Sequence, residues 1–294
     1  MIDGILIVDK PEGLTSADVV RIAKRGLRVK VGHLGTLDPF ATGVLPLCLG
    51  QGTKIAQFLA VADKVYRGRI ALGSETDTAD RTGRVVRLAA VPALHQDALV
   101  GLAERFLGEQ PQTPPMYSAL KHGGVPLYKL ARAGMEVARP SRPIVIHRLT
   151  LECAGPAQLA FEVHCSKGTY ARVLAQDVAV ALGSAGHLES LQRTAFGAFT
   201  LAGAASVEDL QAGSTRGLIA LRAALDHLRE FAVDSVTARR ARSGQEAALR
   251  QLPPGSQGEA AKLIGPQGDL VAVLSATDGD AWRFERVFSP LPTP

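Results

Sequence analysis

One aspartate in this 294-residue chain carries a charge with no local partner. Asp38 lies in the run Gly32-His33-Leu34-Gly35-Thr36-Leu37-Asp38-Pro39-Phe40-Ala41-Thr42-Gly43, and no base stands within four residues on either side. A carboxylate held among apolar neighbours either draws a counter-charge from elsewhere in the fold or takes up a proton as its pKa rises. So placed, it can serve as a nucleophile or a general base. It can equally close an Asx turn or cap before Pro39, and spacing alone leaves both readings open. Arg172 is the complementary anomaly. It falls at the start of an expected helix, where a cation opposes the helix dipole at a cost of about 0.3–1 kcal/mol. Pairing with a buried carboxylate or a phosphate accounts for it, as does a side chain that runs out to water.

Other candidate chemistry is thin. Glu75-Thr76-Asp77-Thr78-Ala79-Asp80 brings three carboxylates together, but it lacks the sixth-position glycine and distal glutamate of a calcium loop, so it reads as a solvated turn. Gly50-Gln51-Gly52-Thr53-Lys54 lacks the spacing of a phosphate-binding loop. There is no Gly-x-Ser-x-Gly elbow and no His-Glu-x-x-His, and the seven histidines are dispersed. Cys48, Cys153 and Cys165 are too few and too scattered for a disulfide framework or a zinc site.

With 46% apolar residues the chain can build a sizeable core, which excludes intrinsic disorder. No apolar run reaches the ~18 residues of a membrane helix, and the acidic start is unlike a secretory signal. The net charge of +5 is unevenly spread: residues 1–72 and 101–150 carry +4 each, whereas 231–294 are neutral. A local basic excess suits a polyanion such as nucleic acid, although a solvated surface gives the same count. Tyr66, Tyr117, Tyr128 and Tyr170 all fall between positions 66 and 170, three of them beside bases. Aromatic faces next to cations are how proteins hold unstacked bases, while core filling is the commoner use of tyrosine.

The elements that must position these groups follow from periodicity. Gly4–Val8 is an apolar run suited to a buried strand. Thr15-Ser16-Ala17-Asp18 opens a helix with Val19, Val20, Ala23 and Leu27 on one face. Residues 29–52, punctuated by five glycines, read largely as loop. Lys64–Leu72 alternates as a strand with Tyr66, Ile70 and Leu72 on one side, and Leu159, Phe161, Val163 and Cys165 mark another. A turn at 166–169 leads into a helix with Val173, Leu174, Val178 and Ala181 inward. Residues 111–143, rich in Pro, Gly and bases, read as an exposed excursion. After Phe231 the texture becomes that of a small β-rich unit of about 60 residues, marginal alone and expected to pack on the main domain.

Several of these runs together resemble one family. Gly32 to Pro46 (GHLGTLDPFATGVLP) is similar to the catalytic motif of the TruB family of tRNA pseudouridine synthases. Val8–Ser16 (VDKPEGLTS), Lys64–Gly68, Glu75–Asp80, Gln112–Lys121 (QTPPMYSALK), Leu127–Gly134, Cys165–Arg172 (CSKGTYAR) and Leu191–Thr194 resemble the rest of its motifs, in order, over about 190 residues. The stretch Gly26–Val31 before the catalytic loop is shorter than the family pattern.

The resemblance implies an α+β pseudouridine-synthase fold, with a mixed, largely antiparallel sheet flanked by helices and a small C-terminal PUA-like barrel. It implies a catalytic domain over 1–230 and an RNA-binding unit over 231–294, with 111–143 an insertion that grips the RNA. Asp38 becomes the nucleophile toward a flipped-out uridine, and Arg172 its counter-charge. Tyr66 would lie against the target base, Tyr170 and Leu191 would line the same pocket, and His33 would fill space left in the RNA loop. Flipping costs a few kcal/mol, recovered by stacking and backbone contacts. The implied substrate is the T-arm stem-loop of tRNA at position 55, handled without cofactor or metal by a cytoplasmic monomer with no membrane contact. The rivals are a non-catalytic RNA-binding or RNA-folding protein, disfavoured because Asp38, Tyr66 and Arg172 are all present, and a synthase for another RNA.

Overall fold

The computed structural model describes residues 2–278 and 280–290, so Gly279 and the last four residues of the expected C-terminal unit lie outside the described residues. Seven strands form the spine of the main sheet: β1 (Gly4–Lys10), β2 (Thr42–Leu49), β3 (Lys64–Leu72), β4 (Gly108–Gln112), β5 (Arg142–Gly155), β6 (Gln158–Cys165) and β7 (Gly186–Phe196). Their spatial order is β1-β2-β7-β3-β6-β5-β4, and short strands Val31–His33 and Phe199–Thr200 pair onto β2 and β7. Every pairing is antiparallel except β2 with β7, which makes the sheet mixed but largely antiparallel. The fold class is therefore α+β, as the motifs imply.

Helix α1 (Ser16–Leu27) starts as its sequence predicts. Thr15 caps it, and Thr15 and Asp18 complete a reciprocal capping box. Val19, Ala23 and Leu27 enter the core, and Val20 is only half-buried. Strands β3 and β6 also follow their alternation, with Tyr66, Ile70, Leu72, Leu159, Phe161, Val163 and Cys165 all buried.

Residues 29–52 depart from expectation. Irregular backbone is confined to 29–30 and 34–41, because Val31–His33 and Thr42–Leu49 are strands, the latter with seven of its eight residues buried. A strand covered on both faces shows no alternation, and a proline inside it, Pro46, is unusual in a central strand. The Pro46 carbonyl accepts a hydrogen bond from Leu34 N. Its missing N–H therefore faces away from β1 and breaks no bond of that ladder. Gly43 explains a second anomaly: at φ +101°, a Cβ there would meet the Arg193 carbonyl oxygen at 2.2 Å. Only glycine lets β2 approach β7 this closely.

The basic excursion leaves the sheet where Gln112 of β4 pairs with Arg142 of β5, so residues 111–112 and 142–143 belong to the sheet. Between them lie a two-residue hairpin, 121–126, and helix α2 (Leu127–Arg132). Helix α3 (Ala171–Ala181) follows β6. Its inward face is Ala171, Arg172, Leu174, Ala175, Val178 and Ala179. Val173 and Ala181, expected inward, are half-buried and exposed. The helix is rotated because Arg172, the residue a pattern assigns to water, turns inward.

A second sheet has the order β8-β9-β10-β11, from β8 (Arg229–Ala232), β9 (Ala260–Ile264), β10 (Leu270–Ala276) and β11 (Trp282–Val287). Its first strand runs across position 230. Ile264, Leu270, Val273 and Phe288 share one hydrophobic cluster with Ile5, Ile7, Val44 and Cys48 of the main sheet, so this unit packs on the larger body. No helix among the described residues is long and apolar enough to cross a membrane.

Candidate active site

The Asp38 loop is fastened from four directions. Ser16, at the head of α1, donates to the Leu37 carbonyl and accepts from Leu37 N at 3.2 and 2.9 Å. The fully buried Lys10, at the end of β1, donates from Nζ to the carbonyls of Leu14, Pro11 and Pro39 at 2.7, 2.8 and 3.3 Å. Gly13 N also donates to Pro39 O. Arg193, fully buried on β7, donates to the Gly35 and Val44 carbonyls at 2.7 and 2.8 Å. The loop therefore presents its aspartate from a rigid frame, as preorganised chemistry requires.

Asp38 does not cap its own turn. The turn is closed by its backbone carbonyl, which accepts from Ala41 N, and the carboxylate points at Arg172. Arg172 Nε lies 2.9 Å from Asp38 Oδ2 and Nη2 lies 3.3 Å from Oδ1, a two-point fork. Both terminal nitrogens also bind backbone carbonyls. Nη1 donates to Thr78 O at 2.9 Å and Nη2 to Tyr117 O at 2.6 Å, while Asp80 Oδ2 stands 3.8 Å from Nε. The arginine side chain is only 5% exposed, whereas Asp38 keeps 34%. The cation is sealed in, and the nucleophile candidate is open to the cavity.

Enclosure pushes the Asp38 carboxyl above the ordinary carboxylate range, Arg172 pulls it back, and Asp80 adds to the upward push. Burial likewise lowers the Lys10 ammonium to about 8, with Asp38 opposing that fall. The phenols of Tyr66 and Tyr170 are pushed up by burial, so both stay neutral near pH 7.

The cavity in front of Asp38 holds about 410 Å³. Tyr66, Tyr170, Arg172 and Leu191 line it with Asp38, so one concave space gathers five of the six residues singled out from sequence. Lys64, Lys167 and Arg193 add bases to its wall. His33 is not among its lining. It sits in the short strand 31–33 opposite Leu47, with Nδ1 buried and unpartnered.

Sequence reasoning missed four supporting groups. Asp80 was assigned to a solvated turn, yet it is buried and accepts from Thr78 Oγ1, Thr82 N and Thr82 Oγ1. Its loop supplies the Thr78 carbonyl that holds Arg172. Lys10, Lys64 and Arg193 all lay within the motif runs. Charge pattern could not single them out, because a buried lysine or arginine reads like a surface one.

The main sheet, its insertion and the second sheet together match known structures. A chain of an H/ACA RNP, solved bound to a substrate RNA containing 2′-deoxyuridine, superposes with a TM-score of 0.71 at 22% identity, covering 98% of this chain and 85% of that one. A chain of a Cbf5-Nop10-Gar1 complex gives 0.70 at 24% identity, with the same coverage. At those identities the likeness defines the fold. Sequence goes further. Residues 22–171 match the N-terminal domain of the TruB family pseudouridylate synthases. The chain is 46% identical to "tRNA pseudouridine synthase B" of Cupriavidus metallidurans over 97% of its length and 94% of that protein's. The protein of the same name from Geobacter sulfurreducens is 39% identical over 98% of this chain and all of that one. The chain belongs to the TruB family of pseudouridylate synthases, enzymes of the isomerase class.

Proposed function

We propose that this enzyme converts a uridine of the tRNA T arm, at position 55, to pseudouridine, with Asp38 as nucleophile. The observation that supports this reading best is the Arg172-forked carboxylate facing a cavity walled by Tyr66, Tyr170 and Leu191. A uridine has to leave its stack to reach that carboxylate, and an aromatic, apolar pocket recovers the unstacking cost. Asp38 attacks the uridine at the base or at the ribose carbon, and the bond from ribose C1′ to N1 breaks. The uracil turns within the cavity, C5 bonds to ribose C1′, and the bond that Asp38 made to the ribose or the base breaks, which returns the free carboxylate. C5 gives up a proton and N1 gains one, so substrate and product are isomers. Arg172 keeps the carboxylate ionised for the attack.

Under this reading the enzyme acts as a monomer, residues 111–143 close on the RNA stem-loop, and the unit from 231 onward is an auxiliary RNA-binding part. Supporting this division, the excursion carries bases on an exposed arm, while the C-terminal stretch is neutral. The deciding experiment incubates the protein with an unmodified tRNA transcript and maps the product. Pseudouridine at position 55 supports the proposal. Modification elsewhere in tRNA, or of ribosomal RNA alone, refutes the assignment of substrate.

Two further outcomes follow. Because Asp38 must be ionised and its carboxyl lies above the usual aspartate range, kcat/KM is flat at higher pH. It then falls about tenfold per unit once pH drops below the Asp38 pKa. An acid limb at or below the ordinary carboxylate pKa contradicts this. Residues 113–141 can be replaced by a short link because Gln112 and Arg142 are already paired, and since this also removes the Tyr117 carbonyl from Arg172, the readout is tRNA binding and not turnover. That deletion removes four bases and one acid, so the slope of log K for tRNA against log salt becomes shallower by about 2–3. An unchanged slope means that the arm does not touch phosphate.

A further inference from the structure

Three potential metal ligands converge on the sheet face opposite Tyr66. His147 Nε2 lies 3.1 Å from Asp63 Oδ2, and His164 Nε2 lies 3.7 Å from the same oxygen. All three ligand atoms fall within 4.8 Å of one another, the one such group of three among the described residues. The residues come from three places: Asp63 just precedes β3, His164 is on β6, and His147 is on β5.

A β-bulge creates the convergence. Ile146 pairs with Cys165 and Arg148 with His164, so residues 147 and 148 together oppose one residue of β6. Buried positions on β5 are Ile144 and Ile146 before the bulge, and Leu149 and Leu151 after it. The change of phase turns His147 outward alongside Arg148, onto the face of His164. On β3, residues 64 and 66 point inward and line the Asp38 cavity, which puts Asp63 on the outer face with the two imidazoles.

Two of the three ligand separations fit a metal directly, and the third lies within 4.8 Å. Four ligands about 2.0–2.1 Å from a tetrahedral zinc ion stand roughly 3.3–3.4 Å apart. The two imidazole–carboxylate separations, 3.1 and 3.7 Å, bracket that edge. The side chains are 37–41% exposed, so an ion can enter from solvent. Asp63 and His164 also border a cavity of about 600 Å³, which leaves room for a water as fourth ligand. Two imidazoles with one carboxylate favour zinc-like ions over magnesium or calcium, which prefer all-oxygen shells.

We propose that Asp63, His147 and His164 form a binding site for one divalent transition-metal ion of the zinc type, separate from the uridine cavity. Binding replaces any proton on either Nε2 with a metal bond and releases it to solvent.

The test titrates the metal-free full-length protein with Zn2+ by calorimetry, with Mg2+ in parallel. One Zn2+ per chain is expected, with a dissociation constant of about 10 μM or below and no matching Mg2+ uptake. His147→Ala, His164→Ala and Asp63→Asn should each weaken binding at least about tenfold. The exposed His122→Ala should leave it unchanged. Co2+ should give the visible absorption of a tetrahedral site in the parent protein and not in His164→Ala. Zn2+ should raise the melting temperature of the parent protein alone. No saturable Zn2+ binding, equal affinity for Mg2+, or binding that survives all three substitutions overturns the proposal. Each readout is independent of RNA and of turnover, so failure here leaves the uridine chemistry standing, and the reverse also holds.

Discussion

Asp38→Asn is expected to reduce pseudouridine formation by about four orders of magnitude or more, equivalent to about 5 kcal/mol of activation barrier. The amide is nearly isosteric and can still accept from Arg172, so the loop held by Ser16, Lys10 and Arg193 keeps its shape. What disappears is the anionic oxygen proposed as the nucleophile. Affinity for tRNA should change by less than about threefold, because the bases and tyrosines of the cavity and excursion remain. Single-turnover rates, paired with filter binding of an unmodified transcript, read the two quantities separately. Activity near that of the parent protein removes Asp38 from the nucleophile role. Loss of binding in parallel with rate makes it a structural or RNA-contact residue.

Arg172→Ala is expected to lower kcat by about 100- to 1,000-fold, against less than threefold for the exposed Lys129→Ala. The guanidinium sits between Asp38 and Asp80 and satisfies two backbone carbonyls. Removing it leaves two carboxylates in one enclosed site with no cation between them. Repulsion and desolvation then raise the Asp38 pKa further, and the acid limb of the rate profile moves to higher pH. That displacement separates the electrostatic role from a merely structural one. Arg172→Lys is the informative companion. A lysine keeps the charge but cannot reproduce the fork, so it should recover part of the rate and most of the limb's position. Equal losses of tRNA binding in Arg172→Ala and Lys129→Ala, with an unmoved acid limb, reduce Arg172 to a phosphate contact.

The local rules carried far in some places and failed in others for identifiable reasons. Strands β3 and β6 are half-buried, so their alternation was visible, and α1 announced itself through Thr15 and Asp18. Strand β2 was hidden because burial on both faces erases alternation, and because Gly43 and Pro46 imitate a loop. The inward face of α3 was misjudged because its pattern treats arginine as a surface residue, while this arginine is buried by its pairing. Asp80 was consigned to solvent for the same reason: a carboxylate beside threonines looks polar until an arginine from another element packs against it. His147, His164 and Asp63 gave no signal as a group, being spread over three separate stretches of chain.

Sequence by itself determined the fold class, the order of motifs and the membership of the cavity that gathers Asp38, Tyr66, Tyr170, Arg172 and Leu191. The resemblance of the ordered motif runs to one family implied all three, and local periodicity supplied only single elements such as α1, β3 and β6. The resemblance implied the pairing of Arg172 with Asp38, but tertiary structure alone decided its two-point geometry, that Lys10 and Arg193 are fasteners of the loop, and that His33 stands outside the cavity. It alone decided that a bulge turns His147 toward His164. Burial and pairing are properties of distant segments brought together, and a charged side chain carries no local mark of which carboxylate, carbonyl or imidazole it will meet.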